Sequence, residues 1–260
     1  CADPTVWNRH APILFPYAGK LTGGHFLAED GKVYEGGQHG FARDLEHQLL
    51  NQTANELTFE LTSGEETYAY FPYDFALRST YTLEGRRISH SVAVRNTGKG
   101  TLRFGFGYHP GFALPFDDAH TAEDYDVVFD TVESPLCLNT APNGLVCASP
   151  DYYLARNVDR IPLSAKLFAH DSHCMVNLKS KTMAVVERDT GRRIVVDIAD
   201  FPYTLIWSTP QEPMRFICIE PWHSIPSEDN GPIEWEKKPC AASLAPNEMW
   251  QTTLNVTFER

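Results

Sequence analysis

The feature that most constrains the fold is a period of two in the apolar residues, repeated along the chain. Leu57, Phe59 and Leu61 alternate with the polar residues Thr58 and Glu60. The same alternation recurs in three further segments, namely Val92–Val94, Leu102–Tyr108 and Leu254–Phe258. A period of two is typical of a β-strand with one buried face, because successive side chains of a strand point to opposite sides. The pattern therefore predicts many short, half-buried strands.

Turn signals separate these segments. Asn143-Gly144 and Asp229-Asn230-Gly231 favour turns, and Val185–Arg188 followed by Arg193–Val196 predicts a hairpin. Short strands at such spacings indicate a sandwich or barrel. We expect an all-β protein with few short helices.

Helical patterns are short, and one stretch is irregular. The best helical candidates are Asp44–Leu50 and Leu163–Phe168, and either could be a loop. Pro115–Leu163 contains several prolines and acidic residues, so we expect long loops there. No linker or internal repeat divides the chain, and 260 residues can bury one large core. We predict a single domain over residues 1–260.

Charge and cysteine content exclude several classes of function. The 22 Lys and Arg residues against 34 Asp and Glu residues give a formal net charge of −12, which argues against nucleic-acid and anionic-membrane partners. No apolar run is long enough to span a membrane. The six cysteines contain no C-x-x-C motif, which favours free thiols in a reducing compartment. We expect a cytoplasmic protein that is a monomer or a weak homodimer.

Familiar cofactor motifs are absent or mismatched. The segment Gly105–Gly111 resembles a dinucleotide-binding loop, but its last glycine is one position late and Pro110 stands where a helix should start. Three residues of types that bind metals lie close together in the sequence, namely His170, His173 and Cys174. The rest of the chain contains no further ligand residues at a spacing familiar from metal sites. We therefore expect neither a metal nor an organic cofactor.

Two polar residues interrupt apolar surroundings. His109 ends the alternating run Leu102–Tyr108 and precedes Pro110. Because a proline disfavours continuation of a strand, we expect the imidazole of His109 at the end of that strand. Glu220 follows the apolar run Phe216–Ile219 and precedes Trp222, and burial at a strand end would raise the pKa of its carboxyl towards that of a working base. Each residue also has a structural interpretation. His109 could be a core histidine whose hydrogen bonds are all made within the protein, and Glu220 could be a carboxylate that accepts hydrogen bonds from backbone N–H groups.

A third candidate segment is Gln38–Asp44. His39 and Arg43 could donate hydrogen bonds to hydroxyl groups, and Asp44 could hold Arg43 in place. The alternative is a surface ion pair between Arg43 and Asp44.

A series of short segments carries a family resemblance over most of the chain. In order they are Trp7–Pro16, Gln38–Asp44, Ser63–Phe75, Tyr81–Gly85, Gly107–Phe112, Asn177–Lys181, Phe201–Trp207 and Cys218–Trp222. Together they resemble the aldose 1-epimerase (mutarotase) family, most closely its bacterial branch of LacX-like, galactose mutarotase-related proteins. The resemblance implies a β-supersandwich of mostly antiparallel strands with an open cleft for a monosaccharide. It also implies further strands before the first residue of this chain, so we expect the N-terminus to be incomplete.

The family's catalytic roles can be carried over to named positions. The resemblance implies that Glu220 is the general base and His109 the general acid. A second histidine near the sugar ring oxygen falls on His39, and Arg43 lies where an arginine that binds a hydroxyl group is plausible. For the family's cleft aspartate, Asp197 and Asp200 are candidates.

The leading hypothesis is anomer interconversion of an aldohexose by proton transfer, without a cofactor. Trp222 and Phe112 are the candidates for stacking on the sugar, with core packing as the alternative. Three other functions stay open. They are epimerisation of a hexose 6-phosphate, which would need an arginine cluster, sugar binding without turnover, and glycoside hydrolysis by Glu220 with a second carboxylate.

Overall fold

Short strands account for most of the regular structure. The computed structural model describes residues 3–140 and 142–260. Its strands are β1 (Ile13–Leu14), β2 (His25–Leu27), β3 (Val33–Glu35), β4 (Gln48–Gln52), β5 (Glu56–Thr62), β6 (Phe75–Glu84), β7 (Arg87–Asn96), β8 (Leu102–Phe104), β9 (Gly107–Tyr108), β10 (Gly111–Ala113), β11 (Tyr125–Glu133), β12 (Leu136–Leu138), β13 (Tyr152–Tyr153), β14 (Val158–Pro162), β15 (His173–Val176), β16 (Thr182–Glu187), β17 (Arg193–Asp197), β18 (Tyr203–Trp207), β19 (Phe216–Trp222), β20 (Ala242–Leu244) and β21 (Met249–Glu259). The prediction of an all-β protein is confirmed.

Helical structure is limited to single turns. The described residues contain one α-helical turn, α1 (Glu65–Tyr68), and 3₁₀ turns at Thr22–Gly24, Ala122–Asp124, Ala165–Phe168 and Trp235–Lys237. None of the helices in the described part of the chain is long and apolar enough to cross a membrane. The prediction of few short helices is therefore confirmed.

Two local predictions need correction. Asp44–Leu50 is not a helix, because Gln48–Gln52 forms β4 and its backbone pairs with β5. Pro115–Leu163 is more regular than expected, since it holds β11 to β14. In β11, the apolar side chains of Tyr125, Val127 and Phe129 are buried in the core, which outweighs the local turn signals. Leu163–Phe168 contains only the 3₁₀ turn Ala165–Phe168.

The chain divides into two compact units, and we call the one that holds β10 to β19 the first unit. It comprises Tyr108–Trp222, Val256–Arg260 and the described residues up to Pro12. One of its sheets has the order β19-β18-β15-β12-β13, with β9 and β10 also beside β19, and the other has the order β14-β11-β16-β17 followed by the end of β21. The predicted hairpin is confirmed, since Val185 of β16 lies opposite Ile194 of β17 in an antiparallel pair.

The second unit comprises Ile13–Gly107 and His223–Asn255. Its main sheet has the order β4-β5-β6-β7 followed by the start of β21, and two small antiparallel pairs, β2 with β3 and β8 with β20, accompany it. A buried cluster of aromatic rings surrounds Phe15, whose ring centroid lies 4.9 Å from that of Phe75 and 5.6 Å from that of Phe104. The prediction of a single domain over residues 1–260 stays a prediction.

Candidate active site

Glu220 lies in the interior of β19, the most completely buried strand of the first unit. All seven residues of β19 are buried, and Leu205 of β18 is the antiparallel partner of Glu220. The expected position at the strand end is wrong by two residues, because pairing with β18 continues through Pro221 to Trp222. Cys218, Glu220 and Trp222 share one face of the strand, since side chains alternate with a period of two.

His109 lies between two short strands that both adjoin β19. It follows β9 directly, although the predicted strand Leu102–Tyr108 is divided into β8 and β9, and its backbone N–H donates a hydrogen bond to the Pro12 carbonyl at 3.1 Å. Pro110 then separates it from β10, where Gly111 pairs with Cys218. This connection brings His109 Nε2 to 3.3 Å from Glu220 Oε2, with 9% of the imidazole and 2% of the carboxylate exposed.

Aromatic rings enclose the imidazole of His109. The ring of Trp7 stacks on it with centroids 5.1 Å apart and planes 28° apart, and Trp207 meets it edge-on at 5.7 Å. Trp7 is also parallel to Phe216 of β19, at 5.5 Å and 6°. A Cβ atom on Gly111 would lie 2.7 Å from the Trp7 ring, so this close approach requires glycine.

Burial dominates the electrostatics of Glu220. Removal from water raises the pKa of its carboxyl well above the usual value, the charge of Asp171 raises it further, and the indole N–H of Trp222 partly offsets both. Sequence reasoning missed Asp171, an exposed residue with a left-handed backbone (φ 81°). The candidates for the cleft aspartate lie elsewhere in the first unit, since Asp197 is in β17 and Asp200 is exposed in the turn that follows. Their role stays a prediction.

The two stacking candidates differ in exposure. Trp222 is 3% exposed, and its indole N–H donates a hydrogen bond to the Tyr108 carbonyl at 3.2 Å. Phe112 is half-buried on β10. These positions favour core packing for Trp222 and leave part of the Phe112 ring open to solvent.

His39 and Arg43 belong to the second unit. His39 has a left-handed backbone (φ 70°) and is 5% exposed, and its Nδ1 accepts a hydrogen bond from the Gly19 N–H at 2.9 Å. The proton of the neutral ring is therefore on Nε2. Arg43 donates to the Gln38 carbonyl at 2.7 Å, and the pair expected with Asp44 is present at 3.7 Å. Both sugar-binding roles stay predictions.

Two groups of side chains among the described residues have the composition of a metal site. They are His109 with Cys218 and Glu220, and Asp117 with His120 and Glu187. His173, in the segment where the sequence argued against a metal, has a structural role instead, because its ring nitrogens contact the Tyr152 hydroxyl at 2.7 Å and the Leu167 carbonyl at 2.6 Å.

A buried imidazole beside a buried carboxylate, on a scaffold of antiparallel strands, defines a candidate acid/base site. The family model for aldose 1-epimerase matches residues 1–256. The chromosomal LacX protein of Lactococcus lactis is 32% identical, and the match covers 99% of this chain and 88% of LacX. This chain belongs to the aldose 1-epimerase family.

Solved structures agree with this assignment. A galactose mutarotase-related enzyme from Lactobacillus acidophilus superposes with a TM-score of 0.92 at 30% identity, over 100% of this chain and 86% of that one. A galactose mutarotase-like protein from Lactobacillus casei gives a TM-score of 0.87 at 27% identity, over 99% and 88%. The predicted galactose mutarotase-like fold is confirmed.

Proposed function

We propose that this protein is an aldose 1-epimerase that interconverts the α and β anomers of a hexose. Glu220 takes the proton from the C1 hydroxyl group while His109 donates a proton to the ring oxygen, and the C1–O bond to the ring oxygen breaks. Rotation about C1–C2 presents the other face of the aldehyde. Ring closure then proceeds with the two proton transfers reversed.

The observation that carries the proposal is the distance of 3.3 Å between His109 Nε2 and Glu220 Oε2. Ring opening needs one group that gives a proton and one that accepts a proton, and the balance between them must be restored at closure. A histidine and a glutamate that share one proton meet this requirement. The separation slightly exceeds the usual range of a strong N–H···O bond, so both atoms can turn to substrate oxygens.

The surroundings of the pair support the same chemistry. Removal of the Glu220 carboxyl from water makes it a stronger base once it is ionised, because few water molecules solvate its charge. The indole of Trp7 stacks on the imidazole of His109 and fixes the plane of the ring. Burial thus strengthens the base, and the aromatic contact orients the acid.

Side chains that bind the sugar are part of the proposal. Phe112 lies opposite Ile217, so its half-buried ring is on the other face of the sheet from Glu220 and is left out of the proposed sugar site. His39 and Arg43 of the second unit stay proposed donors to sugar hydroxyl groups, and the side-chain amide of Gln38 already lies 3.1 Å from His39 Nε2.

Polarimetry of freshly dissolved α-glucose and α-galactose tests the proposal. We expect the wild-type protein to accelerate the approach to anomeric equilibrium, and Glu220→Gln and His109→Asn each to lose about 10²- to 10⁴-fold of the catalysed rate. His120→Gln is the matched control, since it removes a histidine that also contacts carboxylates. Near-wild-type rates in either variant of the pair would refute the assignment. Saturable sugar binding without acceleration of anomer exchange would show that the protein binds sugar and does not catalyse this reaction.

A further inference from the structure

We propose that His109, Cys218 and Glu220 form a zinc-binding site, and that zinc bound there switches off the acid/base pair. The site itself rests on the geometry of three side chains. Its effect on catalysis rests on the function proposed above.

Two of the three donor atoms already have the separation that a tetrahedral ion requires. One ring nitrogen of His109, Cys218 Sγ and one carboxylate oxygen of Glu220 all lie within 4.8 Å of one another. Zinc bonds of about 2.0 Å to nitrogen and oxygen at the tetrahedral angle separate these two atoms by about 3.3 Å. The observed separation of Nε2 and Oε2 is 3.3 Å, so the imidazole and carboxylate need almost no rearrangement.

Two of the three ligands lie on β19, and the third, His109, follows β9 directly. Cys218 and Glu220 are two residues apart on β19, and β18 pairs with both, through Trp207 and Leu205 respectively. Gly111 lies opposite Cys218, and its lack of a Cβ admits the ring of Trp7, since a Cβ there would be 2.7 Å from that ring and 3.3 Å from the Cys218 sulfur. Ligands on a rigid scaffold keep their geometry before the metal binds.

The chemistry of the donors selects a class of metal. A thiolate, an imidazole and a carboxylate together suit zinc and its close analogues cobalt and cadmium, whereas magnesium and calcium prefer sites made only of oxygen. Three protein ligands leave the fourth tetrahedral position for water or a sugar hydroxyl group. When zinc binds, the Cys218 thiol releases its proton to solvent and the zinc–sulfur bond forms.

Zinc at this site would occupy the lone pairs that the reaction needs. His109 Nε2 could no longer carry a proton to the ring oxygen, and the Glu220 oxygen could no longer accept one from the C1 hydroxyl group. We therefore expect zinc to lower kcat and to act as a reversible inhibitor that a chelator removes.

Cobalt titration tests the site without reference to catalysis. Addition of Co²⁺ to the full chain should produce a thiolate-to-cobalt charge-transfer band and the visible bands of a tetrahedral ion, and Zn²⁺ should displace it. Cys218→Ser should abolish the charge-transfer band and weaken zinc binding by about 100-fold or more. Cys174→Ser is the matched control, because Cys174 is equally buried but lies on β15 of the same sheet.

The results separate the two proposals. A charge-transfer band that persists in Cys218→Ser, or a wild-type protein that shows none, would overturn the zinc site whatever the enzyme's activity. If the wild-type protein accelerates mutarotation, Zn²⁺ should inhibit it, and Cys218→Ala should stay active and resist Zn²⁺. Equal inhibition of wild type and Cys218→Ala would also overturn the site. If the cobalt spectrum shows the expected charge-transfer band but the protein does not accelerate mutarotation, the zinc site stands and only the proposed function is refuted.

Discussion

Two glutamates in the first unit are equally buried, yet their carboxyl groups shift in opposite directions. Glu187 is 0% exposed and Glu220 is 2% exposed. Burial raises the pKa of both, but hydrogen bonds from Thr190, Tyr125 and Arg192 bring the pKa of Glu187 below its usual value. The pKa of Glu220 stays well above the usual value. Burial alone therefore does not identify a catalytic carboxylate.

The histidines beside these glutamates differ in the same way. His120 Nδ1 lies 2.6 Å from Asp117 and its Nε2 3.1 Å from Asp189, while Arg192 contacts both Asp117 and Glu187. His109 instead contacts the rings of Trp7 and Trp207. Charged groups thus surround His120, whereas aromatic rings lie beside His109. This comparison shows that the side chains around a histidine–carboxylate pair must be considered before the pair is assigned a catalytic or a structural role.

The largest expected effect comes from the same substitution in the two glutamates. Glu220→Gln should remove about 10²- to 10⁴-fold of the catalysed rate, and the folded protein should be at least as stable, since a neutral amide replaces a buried acid. Glu187→Gln should keep the rate but lower the free energy of unfolding by about 1.5–3 kcal/mol, because hydrogen bonds to a charged group are lost. Polarimetry and urea unfolding measure the two quantities. If both variants lost catalytic rate and stability to the same extent, the two glutamates could not be assigned a catalytic and a structural role.

Trp7 should act as a positioning residue for His109. Trp7→Leu removes the stacked indole and should lower kcat/KM by about 3- to 10-fold, the range of a stacked aromatic pair, and Trp7→Phe should restore most of it. The split between kcat and KM separates this role from a merely structural one. Loss of the indole should lower kcat and leave KM nearly unchanged, because the imidazole is no longer held in place. An unchanged kcat with a lower free energy of unfolding would leave Trp7 with packing alone.

A smaller effect should show that both candidate stacking rings are packing residues. Phe112→Leu should leave KM unchanged, because Phe112 lies opposite Ile217 and its ring is on the face of the sheet away from Glu220. Trp222→Phe should also leave KM unchanged and should lower the free energy of unfolding by about 0.5–1.5 kcal/mol, since the bond to the Tyr108 carbonyl is lost. A raised KM in either variant, measured by polarimetry, would make that ring a stacking residue.

The smallest effect is a gradual dependence of stability on pH in the His120 cluster. Hydrogen bonds to Asp117 and then Asp189 raise the pKa of His120 from 6.5 to about 9. A raised pKa means that the protonated ring stabilises the folded state, so this contribution is complete below about pH 6.5 and disappears as the pH rises through 9. Thermal unfolding of wild type and His120→Gln across this range should show a flatter curve for the variant. Equal slopes would contradict the assignment.

The strands were predictable where the pattern is local. Alternation identified β5, β7 and β21, and the successive runs Val185–Arg188 and Arg193–Val196 identified the hairpin of β16 and β17. The prediction failed for Asp44–Leu50, where pairing with β5 decides the structure. A strand forms its hydrogen bonds with another strand that can be distant in the sequence. A short segment of sequence therefore does not show which strand it will pair with.

The candidate site was predictable only in part, for the same reason. His109 and Glu220 stood out because each is a polar residue in an apolar run, but their contact depends on the register that places Gly111 opposite Cys218. The positions of Trp7 and Asp171 gave no periodic signal, since one precedes the first strand and the other lies in a turn. The family resemblance included the Trp7 segment without assigning the residue a role.

The contact between indole rings and His109 has an optical consequence. Two of the five tryptophans, Trp7 and Trp207, lie against this imidazole. A protonated imidazole in contact with an indole quenches its fluorescence, so the emission of these two residues depends on the charge of His109. Arrival of a ligand, transfer of the proton or binding of an ion should each change the intensity. The protein thus contains its own fluorescent reporter, and stopped-flow emission can time events at the pair without a label or a coupling enzyme.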